Sequence, residues 1–283
     1  MTKRVLLIGG GGFIGKHLEK RLTSNGHIVN IIDKKVNENI NDGFYENNKH
    51  YDIVYFLAAE ANLKAVKLNP LDAIKTMTVG LTNCLEAFPD THFVYVSSSM
   101  VYGDWDSYDM SETDKCGPVD LYGQLKLAGE GIVKELHKEA YTIVRPTAVY
   151  GPDDDQSRVM PLFIELAKNN ETLTVNGHST MLDFTYIDDL IDGLILVMEN
   201  KNSHNITFNL SYGDSVALES VAKYIIATIG KGKLVVSTKD LEYPDRGTLN
   251  ISRAKELLGY NPKLDYIEGI NKLLEEWIWI LGL

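Results

Sequence analysis

One short stretch restricts the fold more than any other part of this chain. Arg4 to Ile8 is an apolar run that breaks into Gly9-Gly10-Gly11-Gly12, and Phe13 to Asn25 then repeats apolar residues at helical spacing. A strand that turns on glycines straight into a helix is the opening of a βαβ unit. More short apolar runs follow at Ile28–Ile32, Ile53–Ala58, Phe93–Val96 and Tyr141–Arg145, separated by helical patterns at 63–68, from Pro70 to Ala87 and from Leu121 to Lys138. Continuous apolar strands alternating with helices predict an α/β fold, a Rossmann doubly wound parallel sheet covered on both faces. After Pro152 this rhythm gives way to mixed helices and isolated strands. Residues 1–152 therefore read as a dinucleotide-binding domain, with returning elements near 183–210, and residues 153–283 as a smaller mixed α/β substrate lobe.

Gly9, Gly12 and Gly15 have distinct expected jobs. One makes the tight turn, one lets the backbone approach a pyrophosphate, and one lets the helix pack on the sheet. The helix N-terminus offers its N–H groups and positive dipole end to the phosphates. The second strand ends at Asp33, 18 residues after Gly15. A carboxylate there accepts hydrogen bonds from the adenosine ribose and repels a 2′-phosphate, so the expected cofactor is NAD. Lys34 and Lys35 soften that discrimination against NADP.

The charge sum of 28 − 39 gives −11. Such a surface repels nucleic acid and anionic membranes. No run reaches the roughly 18 apolar residues of a membrane span. The terminal Trp277-Ile278-Trp279-Ile280-Leu281 is read as the end of a docked helix. Cys84 and Cys116 are two ordinary thiols, as expected of a reducing cytoplasm. The seven histidines lack metal-ligand spacing, so no metal is expected; His137 and His178 are read as surface residues. Asp153-Asp154-Asp155 reads as a solvated turn.

Tyr122 and Lys126 are four apart on the predicted 121–138 helix and share one face. A phenol is a poor base at neutral pH. A nearby ammonium and a positive nicotinamide ring favour the phenolate, which then takes a proton from a sugar hydroxyl. Lys126 is also placed to hold the nicotinamide ribose. Ser98, at the end of the fourth strand, supplies a hydroxyl to the reacting oxygen.

With these residues in order, the chain resembles the extended short-chain dehydrogenase/reductase family, in its NAD-dependent epimerase/dehydratase group acting on nucleotide sugars. The likeness runs from Gly9-Gly10-Gly11-Gly12-Phe13-Ile14-Gly15 through Leu57-Ala58-Ala59, Ser97-Ser98-Ser99-Met100-Val101-Tyr102-Gly103, Tyr122 to Lys126, Arg145-Pro146 and Val149-Tyr150-Gly151-Pro152 to Asp183-Phe184-Thr185-Tyr186-Ile187-Asp188-Asp189-Leu190 and Lys255 to Pro262. The resemblance implies that Ser98, Tyr122 and Lys126 are catalytic. It implies cofactor contacts at Gly9, Gly12, Phe13, Ile14, Gly15, Asp33, Leu57, Ala58, Ala59 and Lys126. Substrate contacts are implied at Ser99, Tyr122, Arg158 and Arg246, the two arginines facing a diphosphate.

Departures from the family pattern are informative. Dehydratases carry an Asp-Glu pair after the catalytic hydroxyl; Ser99 and Met100 stand here, so dehydration is not expected. Met77 and Ala148 stand where asparagines are usual, and Leu182 where an arginine is. The segment between Asp33 and Asp52 is short, and a counterpart of the family's usual third strand with its adenine-contacting Asp is hard to find there, leaving Asp42 as a candidate adenine contact. The resemblance also implies a homodimer through the 70–87 and 121–138 helices. Val79, Leu85, Ile132 and Val133 serve equally as its interface or as internal core. The expected activity is NAD-dependent epimerisation of a nucleotide-diphosphate sugar, at C4, through a keto intermediate. The alternative is a net NAD(P)-dependent reductase or dehydrogenase of a nucleotide-linked keto sugar. A non-catalytic dinucleotide-binding regulator is the third reading.

Overall fold

A computed structural model describes residues 1–34, 40, 50–105, 109–138, 140–177, 180–238 and 246–281, with side chains described only as far as residue 275 in the last segment. Asp42 and His178 lie outside the described residues, as do the side chains of Trp277 and Trp279.

The chain opens with strand β1 (Arg4–Ile8), helix α1 (Phe13–Ser24), strand β2 (Ile28–Ile32) and strand β3 (Ile53–Phe56). Helices α2 (Leu63–Leu68), α3 (Pro70–Ile74) and α4 (Leu81–Ala87) precede strand β4 (His92–Val96). Pro70 opens its helix as expected, but the 70–87 segment is not one regular α-helix. A π-helical stretch, Lys75–Gly80, joins α3 to α4. It swings Met77 into a small core with Val66, Ala73 and Leu125, on which Tyr122 packs. Strand β5 (Asp109–Met110), helix α5 (Leu121–Leu136) and strand β6 (Tyr141–Pro146) follow.

The remainder comprises β7 (Val149–Tyr150), α6 (Val159–Lys168), β8 (Thr172–Asn176), β9 (Met181–Leu182), β10 (Thr185–Tyr186), α7 (Ile187–Glu199), β11 (Ile206–Leu210), β12 (Val216–Ala217), α8 (Leu218–Ile229), β13 (Lys233–Ser237), β14 (Thr248–Leu249), α9 (Ser252–Leu258) and α10 (Tyr266–Leu281). The central sheet has six strands in the order β11-β6-β4-β3-β1-β2, and each neighbouring pair is parallel. The other strands form two-stranded ladders. Among the described residues the sheet ends at β2.

Alternate residues of the strands serve two cores. Val5, Leu7, Tyr55, Val94 and Val144 pack on one face with Leu18 of α1 and Leu190 of α7. Leu6, Ile8, Val54, Phe56, Phe93 and Ile143 pack on the other, with Leu85 of α4 and Val133 of α5. Burial on both faces is why these strands read as unbroken apolar runs. Leu85 and Val133 are core, whereas Val79 is 47% exposed.

Two expectations about polar residues are corrected. His137 is buried, not a surface residue; its Nε2 lies 2.6 Å from the Thr91 carbonyl oxygen and its ring lies against Phe93. Asp154 is not part of a solvated turn. It is buried and its Oδ1 accepts from Arg158 at 3.3 Å.

Candidate active site

Chain direction reverses across the sheet between β1 and β3. β1 leads through α1 to β2 on one side, and the chain then returns to add β3 on the other. Ligands of open parallel sheets sit outside the carboxyl ends of the strands at such a point. Gly9–Gly12 and Leu57–Ala59 occupy it.

Gly9 has φ +83, and a Cβ there would lie 2.6 Å from the Ala58 backbone nitrogen. Only glycine fits this turn and its contact with the Leu57–Ala59 segment. A Cβ on Gly15 would lie 2.5 Å from Gly10 O, so this glycine sets the packing of α1 on the loop. At Gly12 the nearest neighbour is at an ordinary 3.4 Å. Gly12 is the N-cap of α1, no side chain caps that helix, and its first turn, which includes Phe13 and Ile14, has no acidic residue. These features fit a bound pyrophosphate. Asp33 Oδ2 accepts from Gly11 N at 3.0 Å, which sets the carboxylate beside the loop where an adenosine ribose would reach it. Gly9→Ala is expected to destabilise the fold by roughly 1–3 kcal/mol and to weaken NAD binding. Urea denaturation and an NAD titration measure the two effects.

At the next strand end, Ser98 is extended and caps the short 3₁₀ turn of Ser99–Val101, its Oγ accepting from Met100 N at 3.2 Å. Ser99 is buried inside that turn. Helix α5 starts at Asp120, whose Oδ1 accepts from Gly123 N at 2.7 Å. A Cβ on Gly123 would lie 2.6 Å from Met100 O, so glycine there lets α5 close on the turn. That approach brings Tyr122 to Ser98.

Burial pushes the Tyr122 phenol above its ordinary value, and the Ser98 hydrogen bond, Arg158 and Arg246 pull it back. The Lys126 ammonium donates to Val96 O at 2.6 Å and lies 5.8 Å from the centre of the Tyr122 ring. Burial lowers the Lys126 pKa to about 7, with Glu130 opposing the shift. Arg158, held by Asp154, and Arg246, against the Met100 sulfur, thus meet the field of one phenol from distant parts of the chain.

Beneath these groups lies a buried polar network that was not anticipated from the sequence. Arg145 Nε and Nη2 donate to Glu130 Oε1 and Oε2 at 2.8 and 2.6 Å. Ser97 Oγ donates to Glu130 Oε1 at 2.6 Å. Arg145 Nη1 donates to the Tyr102 hydroxyl at 2.9 Å, which donates to Asn209 Oδ1 at 2.7 Å. An arginine inside an apolar strand run was the available signal, since a charge in such a place requires a partner. Asp183, in the 183–190 motif, is a second buried clip; it accepts from Ser211 Oγ, Gly213 N and Leu249 N at 2.7, 3.1 and 3.1 Å. Burial raises its carboxyl to about 7 while those three donors oppose the rise.

Fold and site together define a Rossmann-type dinucleotide-binding protein with a serine, a tyrosine and a lysine gathered at adjoining strand ends. Residues 5–211 match the family described as the NAD dependent epimerase/dehydratase family, and the chain belongs to that family of NAD-dependent enzymes. It is 30% identical to UDP-glucuronic acid decarboxylase 4 of Arabidopsis thaliana, across 97% of this chain and 68% of that protein. It is 29% identical to UDP-glucuronic acid decarboxylase 1 of Xenopus tropicalis, across 96% and 71%. Among solved structures, UDP-glucose 4-epimerase of Thermotoga maritima with UDP-glucose superposes with a TM-score of 0.85 at 25% identity, covering 98% of this chain and 99% of that one. MoeE5 in complex with UDP-glucuronic acid and NAD has the same fold, with a TM-score of 0.86 at 22% identity and coverage of 99% and 100%. No helix among the described residues is long and apolar enough to cross a membrane.

Proposed function

We propose that this protein is a nucleotide-diphosphate-sugar 4-epimerase. The observation that carries the reading is the Tyr122 phenol, hydrogen-bonded to Ser98 and within the electrostatic reach of Arg158 and Arg246, on a fold whose glycine loop is shaped for a dinucleotide. Residues 1–152 hold the dinucleotide and residues 153–283 hold the sugar nucleotide. NAD, when bound, supplies the group that accepts and returns a hydride. Tyr122 takes the proton of the sugar hydroxyl as its carbon is oxidised, and returns it after the keto sugar has turned over. Ser98 Oγ donates to the reacting oxygen, which gathers charge during the transfer. Lys126 holds the nicotinamide ribose and lends its charge to the phenolate once it swings from Val96 O. Arg158 and Arg246 take the diphosphate, where a guanidinium fork matches phosphate oxygens. Dehydration would need a further acid beside Ser98, and buried Ser99 and Met100 offer none.

The named relatives favour a second reading. Oxidation of C4 in a hexuronate places a ketone β to the carboxylate; CO₂ is then lost, the enolate left behind takes a proton from water at C5, and the hydride returns to C4. The same three residues serve both outcomes. Incubation with UDP-glucose and UDP-glucuronic acid, followed by NMR of the products, separates them. The 4-epimer without CO₂ release is expected. A pentose product with CO₂ overturns epimerisation in favour of decarboxylation. A net requirement for added NADH or NADPH overturns both in favour of a reductase. Pairing of two copies through α3–α4 and α5 belongs to this reading; Leu71 and Val79 are 72% and 47% exposed there.

A further inference from the structure

Three consecutive residues at the end of β4 meet three residues of α5. Val96 O accepts from Lys126 Nζ at 2.6 Å. Ser97 Oγ donates to Glu130 Oε1 at 2.6 Å. Ser98 hydrogen-bonds Tyr122. Tyr122, Lys126 and Glu130 are spaced four apart and lie along one helix face. The outer two contacts hold side chains of the proposed chemistry, Lys126 at its resting place and Tyr122 at the serine, and the middle one has no part in it.

That middle contact is the most firmly held of the three. Ser97 and Glu130 are 2% and 1% exposed. Both oxygens of Glu130 also accept from Arg145, which is tied through Tyr102 to Asn209. A buried carboxylate with a full set of donors has no second low-energy position, because any swing leaves a charge unpaired away from water. Glu130 is thus a fixed point on α5, and Ser97 fixes the end of β4 to it. Displacing Ser97 moves both of its neighbours, and with them the carbonyl that holds Lys126 and the hydroxyl that meets Tyr122.

We propose that Ser97 and Glu130 are positioning residues, whose hydrogen bond sets the spacing of Val96 O and Ser98 Oγ against Lys126 and Tyr122. Their importance to catalysis rests on the function proposed above; the positioning itself does not.

The test uses the whole protein with Ser97→Ala and Ser97→Thr. Neither change disturbs the Arg145–Glu130 pair. The first readout is the titration of the Lys126 ammonium by ¹⁵N NMR, its resonance identified by loss in Lys126→Arg. Burial of the ammonium sets the expected wild-type midpoint at about 7. In Ser97→Ala a displaced Val96 O stabilises the ammonium less, so the midpoint is expected to fall by at least ~0.5 pH unit. Ser97→Thr, which restores the hydroxyl, is expected to bring it back. A purely structural Ser97 would lower stability without moving this midpoint, and an unmoved midpoint overturns the proposal. The second readout is reduction of bound NAD, followed at 340 nm, on addition of UDP-glucose or UDP-glucuronic acid. Ser97→Ala is expected to slow it about 10- to 100-fold with NAD affinity unchanged. Wild-type protein that reduces NAD with neither sugar counts against the function proposed above, and the NMR titration still decides the positioning.

Discussion

Tyr122→Phe is expected to lower turnover by roughly 10²- to 10⁴-fold, the usual worth of a positioned proton-transfer group. NAD affinity is expected to stay within about twofold, since one hydroxyl is worth little to dinucleotide binding. The ring remains, so its packing on Met77 and Leu125 survives and the fold is undisturbed. What disappears is the hydroxyl that bonds Ser98 and feels the charge of the two arginines. The measurement is the single-turnover rate of NADH appearance with UDP-glucose or UDP-glucuronic acid, alongside NAD binding by tryptophan fluorescence. An unchanged rate would remove Tyr122 from the chemistry.

The largest effect on stability is expected from Arg145→Met. It leaves Glu130 charged, buried and without its guanidinium, which costs about 3–5 kcal/mol. For a chain of this size that lowers Tm by roughly 6–20 °C. The double variant Glu130→Leu/Arg145→Met is expected to recover much of the loss, because no unpaired charge remains. Recovery is incomplete, since Ser97 and Tyr102 lose partners at 2.6 and 2.9 Å. Urea denaturation measures both variants. A single variant within about 1 kcal/mol of wild type would mean that water or another cation takes over from Arg145.

Much of the dinucleotide side was legible in the sequence because its signals are local. Glycine spacing, the apolar run before it and the helix after it are short-range constraints, and the structure has the turn at Gly9 and the uncapped α1 where they imply. Helix boundaries came close for the same reason: α5 ends at Leu136, two residues before the predicted end. The π-helical stretch at Lys75–Gly80 was not legible. A wider turn is intrinsically poor geometry, adopted where packing repays it; here it buries Met77 against Leu125 and Tyr122. His137 and Asp154 were misread for a related reason. A polar residue near a helix end or in a loop looks solvated until the partner that buries it is known, and those partners are Thr91 and Arg158.

The two arginines proposed for the substrate show the same divide. Sequence order alone could nominate Arg158 and Arg246, yet they are 88 residues apart. That both act electrostatically on Tyr122 emerges only once the chain from 153 onward is folded. The Ser97–Glu130–Arg145 set likewise depends on β4, α5 and β6 being adjacent. By itself, the sequence determined the α/β class, the glycine turn into α1, the place of Asp33 beyond the second strand and the Tyr122–Lys126 spacing, because each is written within one turn or one βαβ unit. Tertiary structure alone decided which cations act on the phenol, where the Lys126 ammonium rests and what ties the ends of β4 and α5 to each other. Those contacts join groups far apart along the chain, and their geometry follows from how sheet and helices pack, which no local spacing encodes.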